Sequence, residues 1–321
     1  TARQPSPMVG FRAVQQAHID ANGSKAIAIS DLALETLPPL EGRIDILRAR
    51  IVDGGSHGDI FLAQELQSAR PLAIKAISLE RAQRASGAGP GTRALAKEVA
   101  ALRALQGHPH LVQLVDVLLT YSHLPGAMGA PPFLCIAMEF VADSEPLSCQ
   151  IKRGPMQQLA QDVLVQLAGA LGFVHDRGFV HRDVWSENVL VSRWGHAVLV
   201  DLGSAERFEG TESGPLKEPL KVNLPYASPE AAASWCPRPG DDVWALGLLT
   251  AEMAVGRFVG DLLGCTDLPI HNAPAIQVAL LADVATAAGQ PLAHVVQAML
   301  APAGTRLHVR DVAALLRCAP A

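Results

Sequence analysis

Residues 179–203 read F-V-H-R-D-V-W-S-E-N-V-L-V-S-R-W-G-H-A-V-L-V-D-L-G, and no other stretch restricts the possible folds of this chain as much. His181-Arg182-Asp183 comes first, and Asn188 follows the acid at an offset of five. Two short β-rich runs, Val189 to Val191 and Ala197 to Val200, then lead into Asp201-Leu202-Gly203. Paired runs of this kind close as a hairpin, which sets an acid, an amide and a second acid at its mouths. A carboxylate placed there can take the proton of a hydroxyl, while an amide oxygen and a second carboxylate suit a hard divalent cation.

Length and charge narrow what surrounds that stretch. With 321 residues, 49% of them hydrophobic, the chain can bury a sizeable core and exceeds a single layer pair, so two lobes are expected. A net charge of −5 with no polybasic block argues against nucleic acid as a partner. The five cysteines (Cys135, Cys149, Cys236, Cys265, Cys318) form no C-x-x-C pair, which favours a reducing compartment over a disulfide framework or zinc site. The most apolar run, Trp244 to Gly264, is broken by Glu252, Arg257 and Asp261 and is not expected to span a bilayer. The expected localisation is cytoplasmic, and the opening Thr1 reads as a trimmed N-terminus.

The 179–203 stretch resembles the catalytic loop and metal-binding motif of the protein kinase family. The resemblance implies an α+β, bilobal fold, with a small, mostly β N-lobe carrying one main helix and a larger, mostly α C-lobe. Residues 1–42 would be an N-terminal extension, 43–140 the N-lobe, and 141–321 the hinge and C-lobe. It further implies ATP and Mg²⁺ as cofactors, Asp183 as the group that accepts or orients the acceptor proton, and Asn188 and Asp201 as metal ligands.

Upstream, the N-terminal extension holds a Pro-rich piece and a helix expected near Phe11 to Asp20, read as a tail or packing arm. From Ile44 the pattern turns β and reaches Asp53-Gly54-Gly55-Ser56-His57-Gly58-Asp59-Ile60. Glycines between strands let backbone amides approach phosphate oxygens. By resemblance this is the Gly-rich loop, with Gly55, Ser56, Gly58 and Ile60 as nucleotide contacts and Asp53 where the first Gly would stand. Pro71 to Lys75 matches the family's V-A-I-K, so Ala73 and Lys75 join the nucleotide contacts; a lysine in an apolar strand needs an anion to justify burial. A helix is expected over Thr92 to Gln106, with Leu95, Val99, Leu102 and Leu105 on one face. Glu98 would pair with Lys75. His108 and His110 read as turn residues satisfied by backbone rather than as metal ligands. Strands are expected over Leu111 to Leu119 and Phe133 to Glu139, then a hinge. Backbone groups near Glu139 and Val141 would meet the adenine, Glu145 the ribose and Leu190 the nucleotide, with Met138 behind the pocket.

Downstream, Gln157 to Val174 carries a helical core stripe of Leu159, Val163, Leu167, Leu171 and Val174. Residues 204–223 form a polar segment closed by Leu224-Pro225-Tyr226-Ala227-Ser228-Pro229-Glu230, which resembles the activation segment and its A-P-E end. In the same resemblance Asp242 of Asp241-Asp242-Val243-Trp244 caps the catalytic-loop backbone, and Glu230 pairs with Arg306. Arg182 suggests a site for a segment phosphate on Ser204, Thr211 or Ser213, unless Glu206, Glu209 and Glu212 supply standing charge.

Three departures stand out. Trp185 occupies the place of the lysine usual two residues after the catalytic acid; Asn223 replaces the threonine that touches that lysine; Leu202 replaces Phe in D-F-G. The function implied is an ATP/Mg²⁺-dependent protein kinase acting in signalling or regulation, with Ser/Thr favoured over Tyr as acceptor. The alternative is a pseudokinase that binds nucleotide or a partner protein without efficient transfer. A small-molecule phosphotransferase fits the closing motif less well.

Overall fold

A computed structural model describes residues 34–47, 58–84, 90–208, 223–233, 236–264 and 270–318. The helix expected near Phe11, the Asp53-Gly55-Ser56 part of the Gly-rich loop, and Thr211 and Ser213 lie outside the described residues. The chain divides into two compact units, Thr1–Ala100 with Val115–Met138, and Ala101–Leu114 with Glu139–Ala321.

The first unit is built on β1 (Ile44–Ile46), β2 (Asp59–Glu65), β3 (Pro71–Ser78), the short helix α1 (Leu79–Arg84), α2 (Pro90–Ala104), β4 (Leu114–Thr120) and β5 (Phe133–Glu139). The five strands form one sheet in the order β1-β2-β3-β5-β4. Composition explains the order: β5 is buried from Phe133 to Met138 and β3 from Ile74 to Ser78, as interior strands require, whereas the edge strand β4 is only half-buried along its first three residues. Phe61, Ala63, Leu72, Ile74, Leu118, Phe133 and Cys135 make the core of this unit. Fully burying each larger apolar side chain contributes about 1.5–3 kcal/mol.

Two elements of this unit start at residues other than those expected from the sequence. Pro90 and Gly91, read as the end of a flexible insert, open α2 instead, because proline at a first helical position loses no hydrogen bond. The strand expected from Leu111 starts at Leu114. The side chain of Gln113 accepts from the Gly107 amide at 2.7 Å and donates to the carbonyls of Leu111 at 2.7 Å and His108 at 3.1 Å, holding the approach as a turn.

The second unit contains β6 (Ser144–Pro146), α3 (Leu147–Ile151), α4 (Gln157–Asp176), β7 (Phe179–Val180), β8 (Val189–Ser192), β9 (Ala197–Leu199), β10 (Glu206–Arg207), α5 (Pro229–Ala233), α6 (Pro239–Val255), α7 (Val259–Leu263), α8 (Pro274–Ala288), α9 (Gln290–Met299) and α10 (Val312–Cys318). Helix α6 is buried at every position from Asp242 to Ala254, so it forms the axis of the unit, with α4, α8 and α9 packed on it. It ends at Gly256, whose φ of 72° is left-handed and where a Cβ would fall 2.6 Å from the Pro155 nitrogen. The expected stripe on α4 faces inward: Val163, Leu167, Leu171 and Val174 are fully buried. A β-rich first unit and a helical second unit are the architecture expected from the sequence.

Candidate active site

In the first unit, antiparallel pairing sets Ile60 opposite Lys75 and Leu62 opposite Ala73. Paired residues share a sheet face, so Ile60, Ala73 and Lys75 lie together on the face away from the Phe61–Ile74 core. Lys75 is 5% exposed, and its Nζ meets Glu98 Oε1 of α2 at 2.6 Å. A buried ammonium is tolerable only with such a partner. Gly58, at the entrance to β2, has φ of 105°, and a Cβ there would stand 2.6 Å from Ile77 and 3.0 Å from the Ala76 carbonyl. Glycine is thus required where the backbone turns over β3.

The second unit holds the catalytic-loop residues. Helix α4 delivers the chain to β7, after which Asp242 Oδ2 accepts from the His181 amide at 2.8 Å and Oδ1 from the Arg182 amide at 2.7 Å. His175 adds a third bond to the same carboxylate at 2.8 Å. Burial works to raise the Asp242 carboxyl, yet the His175 bond, the neighbouring His175 and His181 charge and the Arg182 amide hold it below the ordinary range. The loop so anchored carries Arg182 in a left-handed conformation, φ 70°.

Asn188 Nδ2 donates to Asp183 twice, to its carbonyl at 2.9 Å and to Oδ2 at 2.8 Å. That fixes the Asp183 carboxylate and turns the amide oxygen of Asn188 away from it, the end suited to a hard cation. The β8–β9 hairpin brings the second acid alongside: the Val200 amide donates to the Asn188 carbonyl at 2.9 Å, and Asp201 follows in a left-handed conformation, φ 60°. Asp201 Oδ1 accepts from the Gly203 amide at 3.0 Å. Left-handed backbone at non-glycine residues is uncommon and concentrates at functional sites. Among the described residues no three His, Cys, Asp or Glu side chains gather as a ligand set. Asp201 carboxylate and Asn188 amide oxygens nevertheless fit Mg²⁺, which takes one or two protein oxygens and completes its shell from phosphate and water.

Other expected contacts fall as follows. The Glu139 amide donates to the Gln113 carbonyl at 3.0 Å, and the Val141 carbonyl accepts from Ser144 Oγ at 2.6 Å. Strand β6 sets Pro146 opposite Leu190 and Glu145 opposite Val191. The Glu145 carboxylate is held by both guanidinium nitrogens of Arg153, at 2.5 and 2.6 Å, a bond that lowers its pKa. The His110 ring meets the Ala197 carbonyl at 2.8 Å, and His108 Nδ1 accepts from the His110 amide at 3.2 Å.

The model of the protein kinase domain matches residues 48–267 of the chain, more than two thirds of its length. The chain belongs to the protein kinase family. It is 30% identical over 228 residues to the serine/threonine-protein kinase pkn2 of Myxococcus xanthus, covering 69% of this chain and 25% of that protein. It is 28% identical over 238 residues to the CBL-interacting protein kinase 22 of Oryza sativa, covering 68% and 49%, and 24% identical over 242 residues to PrkC of Bacillus subtilis, covering 75% and 33%. The matched region thus spans a quarter to a half of these relatives' lengths.

Elsewhere in this family member, Glu230 pairs with Arg306 at 2.8 Å, and Arg306 also donates to the carbonyls of Gly240 at 3.0 Å and Ala301 at 2.9 Å. At the departures, Trp185 Nε1 is buried without a hydrogen-bond partner among the described residues, and the Asn223 carbonyl accepts from the Tyr226 amide at 3.0 Å. Arg182 is half-buried; burial pulls its guanidinium pKa down against the pull of Glu206, Asp242, Asp241 and Asp183. Two residues near the loop escaped the sequence reading: Ser186, beside Trp185, and Glu252, which accepts from the Tyr226 hydroxyl at 2.6 Å. The one charged residue in the run 243–255 of α6 was the signal available for Glu252.

Proposed function

We propose that the chain is an ATP- and Mg²⁺-dependent protein kinase that transfers a phosphoryl group to a serine or threonine hydroxyl of a protein. The observation that carries this reading is the Asp183–Asn188 arrangement, an anchored acid held by the amide whose oxygen remains suited to a metal. In this reading Asp183 orients the acceptor hydroxyl and takes its proton, Asn188 and Asp201 hold Mg²⁺, and Lys75, held by Glu98, positions phosphates. When bound, Mg²⁺ supplies neutralisation of the phosphate charge. Gly58, Ile60, Ala73, Val141 and Leu190 would border the nucleotide, together with Gly55 and Ser56.

A second reading, a nucleotide-binding scaffold without efficient transfer, is favoured by one feature. Trp185 puts an uncharged N–H where the family has a lysine, and a single neutral donor cannot offset phosphoryl charge as an ammonium does. The deciding experiment incubates the chain and Asp183→Asn with ATP, Mg²⁺ and a generic protein acceptor, and reads phosphate on Ser, Thr or Tyr by mass spectrometry. Transfer lost in Asp183→Asn supports the kinase. Saturable ATP binding without transfer supports the scaffold.

A further inference from the structure

We propose that Asp59 is a positioning residue for the nucleotide: by holding the Met128 amide, it ties the exit of the Gly-rich loop to the β4–β5 connection, so that phosphates meet a preset backbone. This rests on the kinase reading above and deepens it. Strands β4 and β5 are neighbours in the sheet, and about two to five residues suffice to join such a pair. Residues 121–132 are many more than that, and they fold back over the start of β2 and the end of β3.

The connection is fastened at several places. Leu124, 4% exposed, sits in the core of the unit with Phe61, Leu118 and Phe133. Ala127 packs against the same core, and its amide donates to the Leu124 carbonyl at 3.0 Å. Ser78 Oγ donates to the Ala130 carbonyl at 2.7 Å, and the Leu79 amide to the Pro132 carbonyl at 3.0 Å. Gly129, with φ of 103°, lies so close to β3 that a Cβ would fall 2.7 Å from that of Ser78. Residue 128, between these fastenings, presents its amide to β2, where Asp59 Oδ2 accepts from it at 2.6 Å.

Packing alone would not call for an acid at this position. Residues alternate along β2: Asp59, Phe61 and Ala63 are buried, while Ile60 and Leu62 are half-buried on the other face. Asp59, 1% exposed, therefore takes the first place in a row otherwise filled by core side chains. Burying a carboxyl there carries a desolvation cost that an alanine or a valine would avoid, and the Met128 bond offsets part of it. The neighbours of Asp59 are Gly58 and Ile60, which border the nucleotide in the kinase reading. Gly58 is already pressed against Ala76 and Ile77 of β3. The exit of the loop is thus held at two successive residues, and a backbone ordered before ATP arrives loses less entropy on binding it.

The test compares wild type, Asp59→Ala, Asp59→Asn, Gly129→Ala and the double variant Asp59→Ala/Gly129→Ala. It measures equilibrium binding of a fluorescent ATP analogue with Mg²⁺, steady-state transfer to a serine peptide, and hydrogen exchange over residues 58–65 without nucleotide. Gly129→Ala leaves Asp59 in place and displaces the connection, because the added methyl meets Ser78. The expected result is a rise of about fivefold to tenfold in Kd for the analogue and KM for ATP in Asp59→Ala and Gly129→Ala, with kcat within about twofold. Exchange over 58–65 quickens in both, and the double variant binds no more weakly than the worse single. Asp59→Asn, whose amide oxygen still accepts from Met128, binds within about twofold of wild type. Unchanged binding in Asp59→Ala, an asparagine variant as weak as the alanine one, losses that multiply in the double variant, or a fall in kcat at constant Kd each overturn the proposal. Should Asp59→Ala not fold, Gly129→Ala set against Asp59→Asn decides. A wild type that binds the analogue without transfer ends the kinase reading alone, and the binding comparison still judges Asp59; a wild type that does neither ends both.

Discussion

Two buried carboxylates lie ten residues apart on α6 and meet opposite treatment. Asp242, in the first turn, has both oxygens filled by the His181 and Arg182 amides and by His175. Glu252, in the last turn, has one oxygen filled by Tyr226 and Val259 and the other without a hydrogen-bond partner among the described residues. The helix dipole adds to the contrast, favouring an anion at the first end and disfavouring one at the second. Burial is nearly identical, at 1% and 0% exposed, yet one carboxyl is held below its ordinary range and the other pushed to about 7. Donor supply, not depth, decides whether a buried acid anchors a loop or strains a helix.

The contrast can be broken most forcefully at Asp242. Asp242→Ala strands two backbone amides and a ring nitrogen, and should cost on the order of 3–5 kcal/mol, read as a lower denaturant midpoint at constant slope. Because the folded pKa is depressed, this contribution is present above the unfolded value and lost only as pH falls through the folded one. The gap should therefore hold from pH 5 to 8; a gap that narrows towards pH 8 counts against the assignment.

Glu252→Gln should act in the other direction. The folded pKa of about 7 lies above the ordinary 4.5, so the stability it contributes is full below 4.5 and lost as pH rises through 7. The amide imitates the protonated acid and keeps an acceptor for Tyr226 and Val259. The variant should match wild type near pH 4.5 and exceed it by on the order of 2–3 kcal/mol at pH 8. Superimposable unfolding curves at pH 8 would show that the unpartnered oxygen carries no penalty.

Smaller effects sharpen the same rule. Arg306→Ala removes one donor from Glu230, which keeps the Ala303 amide, and takes the Arg306 donor from the Gly240 and Ala301 carbonyls, and should cost about 2 kcal/mol; here burial alone would raise the Glu230 carboxyl, but the Arg306 bond and charge win and lower it. Smallest of all, Arg153→Ala should leave the melting temperature where it is, since an exposed ion pair adds little in water. A clear drop would mean that Glu145, which Arg153 holds, matters to the β6–β8 pairing beyond its charge.

Much of this site was legible in the chain because identity and spacing carry the chemistry directly. Lys75 in an apolar strand, Glu98 beside a helical stripe, and Asp183, Asn188 and Asp201 around a hairpin could be picked out by residue type and spacing once the resemblance to the kinase family supplied the template. The inward face of α4 and the buried run of β5 follow from residue type and period. Gln113 shows the limit: its side chain reorganises three backbone groups and delays β4, which no hydrophobic pattern encodes. Strand β6 was missed for a related reason, since Ser-Glu-Pro has little strand propensity and is extended through its pairing with β8.

By itself, the amino-acid order determined which groups are available and in what succession: a lysine and its glutamate, then acid, amide and second acid. Only packing decided how each charge is supplied with donors, because the partners of Glu252 and Asp242 lie 7–67 residues away and meet them only when α6 is enclosed. Protonation of these two acids is a property of that enclosure, since desolvation and hydrogen bonding act through space and not along the chain.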